Sequence, residues 1–193
     1  MMRAAATRRP GAQRGAAALE FALGAMIFFS FIFFMIELSR AFYLWNSLIE
    51  ITHGAARTAA HKDFSATTQL AVRSDAILTD RGGLKLRGNL SPANLKIEYL
   101  NGNLARVATP ACAEANMAAC VADPGSATCV RFVRVRLCDP LNTTDPSGCG
   151  RVTYVPLIST GLVPAGTFQF PRFDSITPAG TFGYRPGTAG TCQ

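Results

Sequence analysis

An α+β fold is what this 193-residue sequence predicts: a long N-terminal membrane-spanning helix that runs on into a small domain outside the membrane. Three observations carry that prediction. Residues 16–36 hold a single charged side chain, Glu20, and end in MIFFSFIFFMI, which contains five of the thirteen Phe. Beyond residue 94 the pattern of apolar residues shifts to period two, the spacing of half-buried strands. Six cysteines, Cys112, Cys120, Cys129, Cys138, Cys149 and Cys192, all follow the apolar run.

Residues 1–15, MMRAAATRRPGAQRG, form a basic leader without the apolar residues a core needs. The formal net charge is +7, and Arg3, Arg8, Arg9 and Arg14 lie in this leader with no acid among them. The remaining chain carries 15 bases and 12 acids, an ordinary surface. The basic residues therefore mark topology rather than a nucleic-acid footprint, and the positive-inside rule places the leader in the cytoplasm. The apolar stretch at about 16–36 is long enough to cross a hydrocarbon layer of ~30 Å at ~1.5 Å per residue. It is longer than the 7–15 apolar residues typical of a secretory signal, and Glu20 would be unusual inside one.

The helix is expected to continue to residue 61. Phe42, Trp45, Leu48, Ile49 and Ile51 recur at helical spacing, while Glu50, Arg57 and Lys62 stay polar. Phe42, Tyr43 and Trp45 also sit where an interfacial aromatic belt belongs. Gly54, Ala55, Ala56, Ala59 and Ala60 make a small-residue patch fit for close packing.

Residues 62–193 are expected to form the outside domain. DFSATTQLAVRSDAILTDRGG predicts a second helix, capped by Ser65 or Thr67, with Leu70, Ile77 and Leu78 inward and Gly82 at its end. Strands follow at 94–100 (NLKIEYL, with an NGN turn after it), 129–137 (CVRFVRVRL) and 151–158 (RVTYVPLI, where Pro156 marks an edge). In the second of these, Val133, Val135 and Leu137 share one face, and Arg134 and Arg136 lie on the opposite, solvent face. Three or four antiparallel strands backed by the long helix complete the fold. The segments CAEANMAACVADPGSATC and CDPLNTTDPSGC read as loops, and TPAGTFGYRPGTAGTCQ as an irregular tail.

An even cysteine count in loop-rich sequence, with no C-x-x-C pair, points to disulfides and an oxidising compartment. Cys138 and Cys149 flank a turn, DPLNTTDPSG, that brings its ends together. The other four cysteines are expected to give one bridge within 112–129 and one involving Cys192, although six cysteines permit 15 pairings.

No catalytic constellation is present in the sequence: no G-x-S-x-G, no phosphate loop and no H-E-x-x-H. His53 and His61 read as helix-surface residues, and Asp123, Asp139 and Asp145 each precede a proline, as turn residues do. NTT at Asn142 matches a glycosylation acceptor, a match common by chance. No enzyme activity, cofactor or metal is expected. Glu20 remains the residue to explain, because a carboxylate at the centre of a lipid-facing helix costs about 2.5–3.5 kcal/mol even on lenient scales.

A basic leader ending in Gly15, an apolar helix with Glu20 as its fifth residue and an outside α+β domain resemble type IV-type pilins and pseudopilins. More narrowly, RGAAALEFAL, IELSRAFYLWNSLIE and HGAARTAA resemble the TadE-like family of the tight-adherence (Tad/Flp) pilus, with VTYVPLISTGL similar to a later Tyr-x-Pro-Leu segment. The resemblance implies that a prepilin peptidase cuts between Gly15 and Ala16. It also implies that Glu20, with Phe21 beside it, serves assembly by pairing with the freed amine of Ala16 on its own or a neighbouring chain. The implied protein is a minor pilin or pseudopilin in the inner membrane, single-pass, with its C-terminal domain periplasmic or carried into the extracellular pilus. Its implied partners are the membrane, the prepilin peptidase, the major Flp-type pilin, another minor pilin and the inner-membrane assembly platform, with no nucleic acid. The alternative from another class is a signal-anchored periplasmic binding or adhesin module that never enters a filament.

Overall fold

The computed structural model describes residues 13–78, 90–141, 148–156, 168–184 and 192. The elements run α1 (Gln13–His61), α2 (Ala66–Leu78), a 3-10 turn at Pro92–Asn94, β1 (Leu95–Leu100), β2 (Arg106–Val107), α3 (Ala113–Ala122), β3 (Phe132–Leu137) and β4 (Asp174–Pro178). The helix α1 takes in the last three residues of the basic leader. The chain divides into two compact units between Ala41 and Phe42.

In the first unit, α1 is apolar on all sides. Leu19, Phe21, Leu23, Met26, Ile27, Phe28, Phe29, Phe31, Phe33 and Phe34 are all exposed. A helix that shows apolar residues all round its circumference belongs in a core or in lipid. Among the described residues, it is the helix long and apolar enough to cross a membrane. Glu37 and Arg40 mark the end of the apolar run, with Arg40 Nη1 donating to Glu37 Oε1 at 3.1 Å.

The second unit is built on a four-stranded antiparallel sheet in the order β2-β1-β3-β4. Register puts Tyr99 opposite Val133 and Ile97 opposite Val135, so Val133, Val135 and Leu137 form the inner face as their alternation requires. Ser175 lies opposite Val135 on β4, and its Oγ sits 2.8 Å from His53 Nδ1 on α1. The inner face of the sheet therefore looks toward the helix. The buried stripe on this part of α1 is Leu44, Leu48, Thr52, Ala55, Ala56, Ala59 and Ala60. Small side chains let other backbone approach closely, as at Ala60, whose carbonyl accepts from Phe182 N–H, whereas Gly54 of the expected patch is exposed.

The aromatic stripe expected on this stretch is corrected. Of those residues Leu48 is buried, whereas Phe42, Trp45 and Ile49 are exposed. Leu44, one residue before Trp45, takes the inward position that continues at steps of four through Leu48 and Thr52. Trp45 keeps an edge-on contact with Phe173, ring centroids 5.7 Å apart.

A second correction concerns the strands. Residues 151–156 make only an isolated bridge, Thr153 to Gln169, and Leu157 and Ile158 lie outside the described residues. The place expected for that strand is taken by β4, at the head of the presumed irregular tail. The pairing of β3 with β4 is local neither in sequence nor in pattern, so alternation alone did not reveal it. A third correction is α3, which stands inside the first presumed cysteine loop. Asn116 on α3 is buried, accepts from Val130 N–H at 2.8 Å and donates to Val130 O, holding the helix to the strand that follows.

Ser65 Oγ accepts from the Thr68 N–H at 3.2 Å, capping α2. Val72 and Ile77 are the buried residues of that helix and Leu70 is exposed, contrary to expectation. Gly82 and the side chain of Leu78 lie outside the description. The NGN turn is present, with Asn101 Oδ1 accepting from the N–H groups of Asn103 and Ala105.

The tail closes over the C-terminal end of α1. Phe182 N–H donates to Ala60 O at 3.2 Å, satisfying one of the carbonyls a helix leaves open at its end. Its ring packs against Phe64 (4.5 Å) and Tyr99 (6.0 Å). Gly180 passes so near the helix that an added Cβ would stand 2.6 Å from Ala60 O and 2.8 Å from the His61 ring. The imidazole can rotate away but the backbone carbonyl cannot. Gly180→Ala is therefore expected to destabilise the protein by about 1–3 kcal/mol, read as a lower denaturant midpoint with the disulfides still formed.

Candidate functional site

The membrane-segment residues singled out by sequence sit on one helix. Gly15, Ala16, Glu20 and Phe21 are all exposed. Ala16 and Glu20 are four residues apart, so they face the same side of α1 with a rise of about 6 Å between them. Among the described residues no ion pair reaches Glu20. A Cβ added to Gly15 would meet nothing within 4 Å. Among the described residues, neither position is held by packing.

The second unit carries a concentration of charge that sequence reasoning missed. Glu98 is only 3% exposed, and four cations converge on it. Arg134 donates from Nε at 2.9 Å and from Nη2 at 2.6 Å, both to Oε2. Arg136 Nη2 donates to Oε1 at 2.9 Å, and Arg106 Nη2 donates to the same oxygen. Lys96 Nζ stands 3.7 Å from Oε1 and donates to Gly148 O at 2.9 Å.

Burial alone would raise the Glu98 pKa, but the hydrogen bonds from Arg134 and Arg136, with their charges, outweigh it and hold the carboxyl below its ordinary value. On neighbouring β4 the balance differs. Burial raises the Asp174 pKa against the pull of Arg134 and Arg136, and the charge of Glu98 adds to the rise. The expectation that Arg134 and Arg136 simply face solvent is thus corrected, since their side chains are only 21% and 12% exposed. Period-two charge in two strands, Lys96/Glu98 and Arg134/Arg136, was the available signal. It becomes readable only when register sets Glu98 opposite Arg134.

The cysteines pair as Cys112–Cys192, Cys120–Cys129 and Cys138–Cys149. Cys120–Cys129 ties α3 to the segment that leads into β3. Cys138–Cys149 closes the segment after β3, where Asn94 Nδ2 also donates to Cys138 O at 3.0 Å. Cys112–Cys192 anchors the far end of the chain to the N-terminus of α3. Cys112, Glu114 and Cys192 lie close enough together to suggest a metal cage, but both thiols are committed to a disulfide, which leaves no thiolate to act as a ligand. His53 and His61 stand on the helix surface eight residues apart, with His53 occupied by Ser175. Among the described residues, no nucleophile, base and orienting group come together as an acyl- or phosphoryl-transfer site would need.

No curated protein and no solved structure matches the chain. A protein-family model does. The exposed glycine, the carboxylate five residues beyond it and the helix as far as its buried alanines all fall within that match: residues 15–60 match the TadE-like protein family.

Proposed function

We propose that this chain is a minor pilin or pseudopilin of a Tad/Flp-type pilus, acting in assembly by priming the filament or joining it, in a system used for adhesion. The observation that carries the reading is the position of Glu20. It is an exposed carboxylate, one helical turn beyond Ala16, and the only charge in residues 16–36 of a helix that matches the TadE-like family.

In this reading a prepilin peptidase cuts between Gly15 and Ala16 and leaves a charged amine at the membrane boundary. Glu20 then pairs with that amine on its own chain or on an incoming neighbour, which sets the stagger between subunits. A charge in hydrocarbon is costly when alone and tolerable when paired, so assembly itself relieves the cost of carrying Glu20. The basic leader supports a cytoplasmic N-terminus, and the three disulfides support a periplasmic domain. Residues 1–15 are then the cleaved leader, 16–61 the helix with its span at about 16–36, and 62–193 the periplasmic domain. The major Flp-type pilin, another minor pilin and the assembly platform are the partners, and this chain supplies contacts rather than catalysis.

N-terminal mass spectrometry of the protein from its own membrane tests the processing step. A mature chain beginning at Ala16 is expected, and Gly15→Arg should leave the full-length precursor. The open space around Gly15 means that such a result reports on the peptidase and not on misfolding. A mature N-terminus at any other residue, or an uncut leader, would move the signal-anchored module ahead.

A further inference from the structure

The three disulfides differ in their access to solvent and in their place on α3. Cys192 is exposed, whereas Cys129, Cys138 and Cys149 are buried and Cys120 is half-buried. Cys112 and Cys120 stand at opposite ends of the helix. Cys112 is the N-cap, and its Sγ accepts from the Ala115 N–H at 3.3 Å. Cys120 lies in the last turn, at the negative end of the helix dipole. A helix N-terminus stabilises a thiolate, while the opposite end or apolar surroundings disfavour one. Thiol–disulfide exchange is fastest where the attacked sulfur is accessible and the departing sulfur is a stable thiolate. Of the three bridges, Cys112–Cys192 meets both conditions, because attack on exposed Cys192 expels Cys112 onto the N-terminus of α3. Attack on Cys120 would expel Cys129, which is 0% exposed, and Cys138–Cys149 is buried at both ends. The carboxylate of Glu114 lies within 4.8 Å of both sulfurs of Cys112–Cys192, and its charge opposes an approaching thiolate. It restrains the rate, but the other two bridges have no exposed cysteine to attack.

We propose that Cys112–Cys192 is a redox switch, opened ahead of the other two bridges by the dithiol of a thiol–disulfide oxidoreductase. One thiolate of that dithiol attacks Cys192 Sγ, bonds to it and breaks its bond to Cys112, which leaves as a thiolate and takes up a proton. The second thiol of the reductant then attacks the reductant's own bound sulfur and expels Cys192 as a thiol. The protein gains two electrons and two protons, and the reductant becomes a disulfide. Opening removes a crosslink between residues 80 apart in sequence and releases the end of the chain from α3. The fold outlasts the change. Cys120–Cys129 and the buried Asn116 still hold α3 to the segment before β3, and Phe182 N–H still donates to Ala60 O.

The test is timed reduction of the full-length protein in zwitterionic detergent with dithiothreitol, stopped with acid and followed by alkylation. Peptide mass spectrometry then reads the label on each cysteine. Cys112 and Cys192 should be labelled together, at least tenfold faster than Cys120, Cys129, Cys138 or Cys149. With glutathione as the attacking thiol, the acid-trapped adduct should sit on Cys192. Glu114→Gln should open faster, since the like charge beside the attacking thiolate is gone. The Cys112→Ser/Cys192→Ser variant should unfold cooperatively with its other two bridges formed, at a denaturant midpoint below the parent's. The proposal is overturned if another bridge opens first, if all three open together, if glutathione is found on Cys112, or if Glu114→Gln opens no faster. A double variant that fails to fold would also overturn it, by making the bridge a permanent staple.

Discussion

Glu20→Ala is expected to abolish or severely reduce surface pili while leaving the protein in the membrane at its normal level. Removing a carboxylate from an apolar helix removes insertion cost, at most the helix-centre figure of about 2.5–3.5 kcal/mol, so a plain anchor would be unharmed or improved. Glu20 is exposed on α1, with no ion pair to it among the described residues, so its loss leaves no vacancy in the fold. In the proposed pilin reading, what would be lost is the partner for a subunit's N-terminal amine, which would enter the packed assembly unpaired. Cleavage after Gly15 should stay normal or nearly so. Glu20→Asp should be intermediate, because the charge remains and its reach is shorter. The measurement is a count of surface pili at matched protein levels in cells carrying each variant. Wild-type piliation with Glu20→Ala would sink the registration role and favour the anchor.

The second large effect belongs to Glu98. Replacing it by Ala leaves Arg134 and Arg136, both mostly buried, facing each other with Arg106 and Lys96 beside them. Removing one partner from a buried ionic cluster typically costs about 3–5 kcal/mol. The partial exposure of the arginines places this case near about 3 kcal/mol. Denaturant unfolding of the parent and variant in the same detergent would show it, and coincident midpoints would reduce the cluster to surface decoration.

The pH dependence follows from the direction of the shift. The folded-state pKa of Glu98 is held below its ordinary value of 4.5, so its contribution is fully present above that pH. It is lost as pH falls through the lower folded value. Asp174 acts in the opposite sense. Its folded-state pKa lies above the ordinary 3.8, so its contribution is present below that pH and lost as pH rises through the folded value. Glu98→Gln should therefore flatten the acid limb of the stability profile. An acid limb as steep as the parent's would place the titrating group elsewhere.

How much of this was legible beforehand depended on the range of the interaction involved. The long apolar helix is a property of consecutive residues, set by side-chain solubility and 3.6-residue periodicity, and it could be read directly. The inner face of β3 was legible for the same reason, since alternation needs no partner. The pairing of Cys138 with Cys149 was legible because the prolines and glycine between them are local breakers. Misreadings began where a choice between similar local signals depended on distant contacts. RVTYVPLI looks more like a strand than DSITP does, yet DSITP won the sheet edge, where Ser175 opposite Val135 meets His53 on the helix. Trp45 is the more hydrophobic neighbour of Leu44, but the rotation of α1 on its own sheet turned Leu44 inward. Glu98 alone looks like any strand carboxylate. Strand register brings Arg106 from one side and Arg134 with Arg136 from the other, surrounding it with cations. The sequence by itself determined the long helix and its single carboxylate at Glu20 within 16–36, because those depend on neighbours in the chain. Tertiary structure decided which residues formed the charged face and the closing strand, because electrostatic and packing energies depend on distance in space.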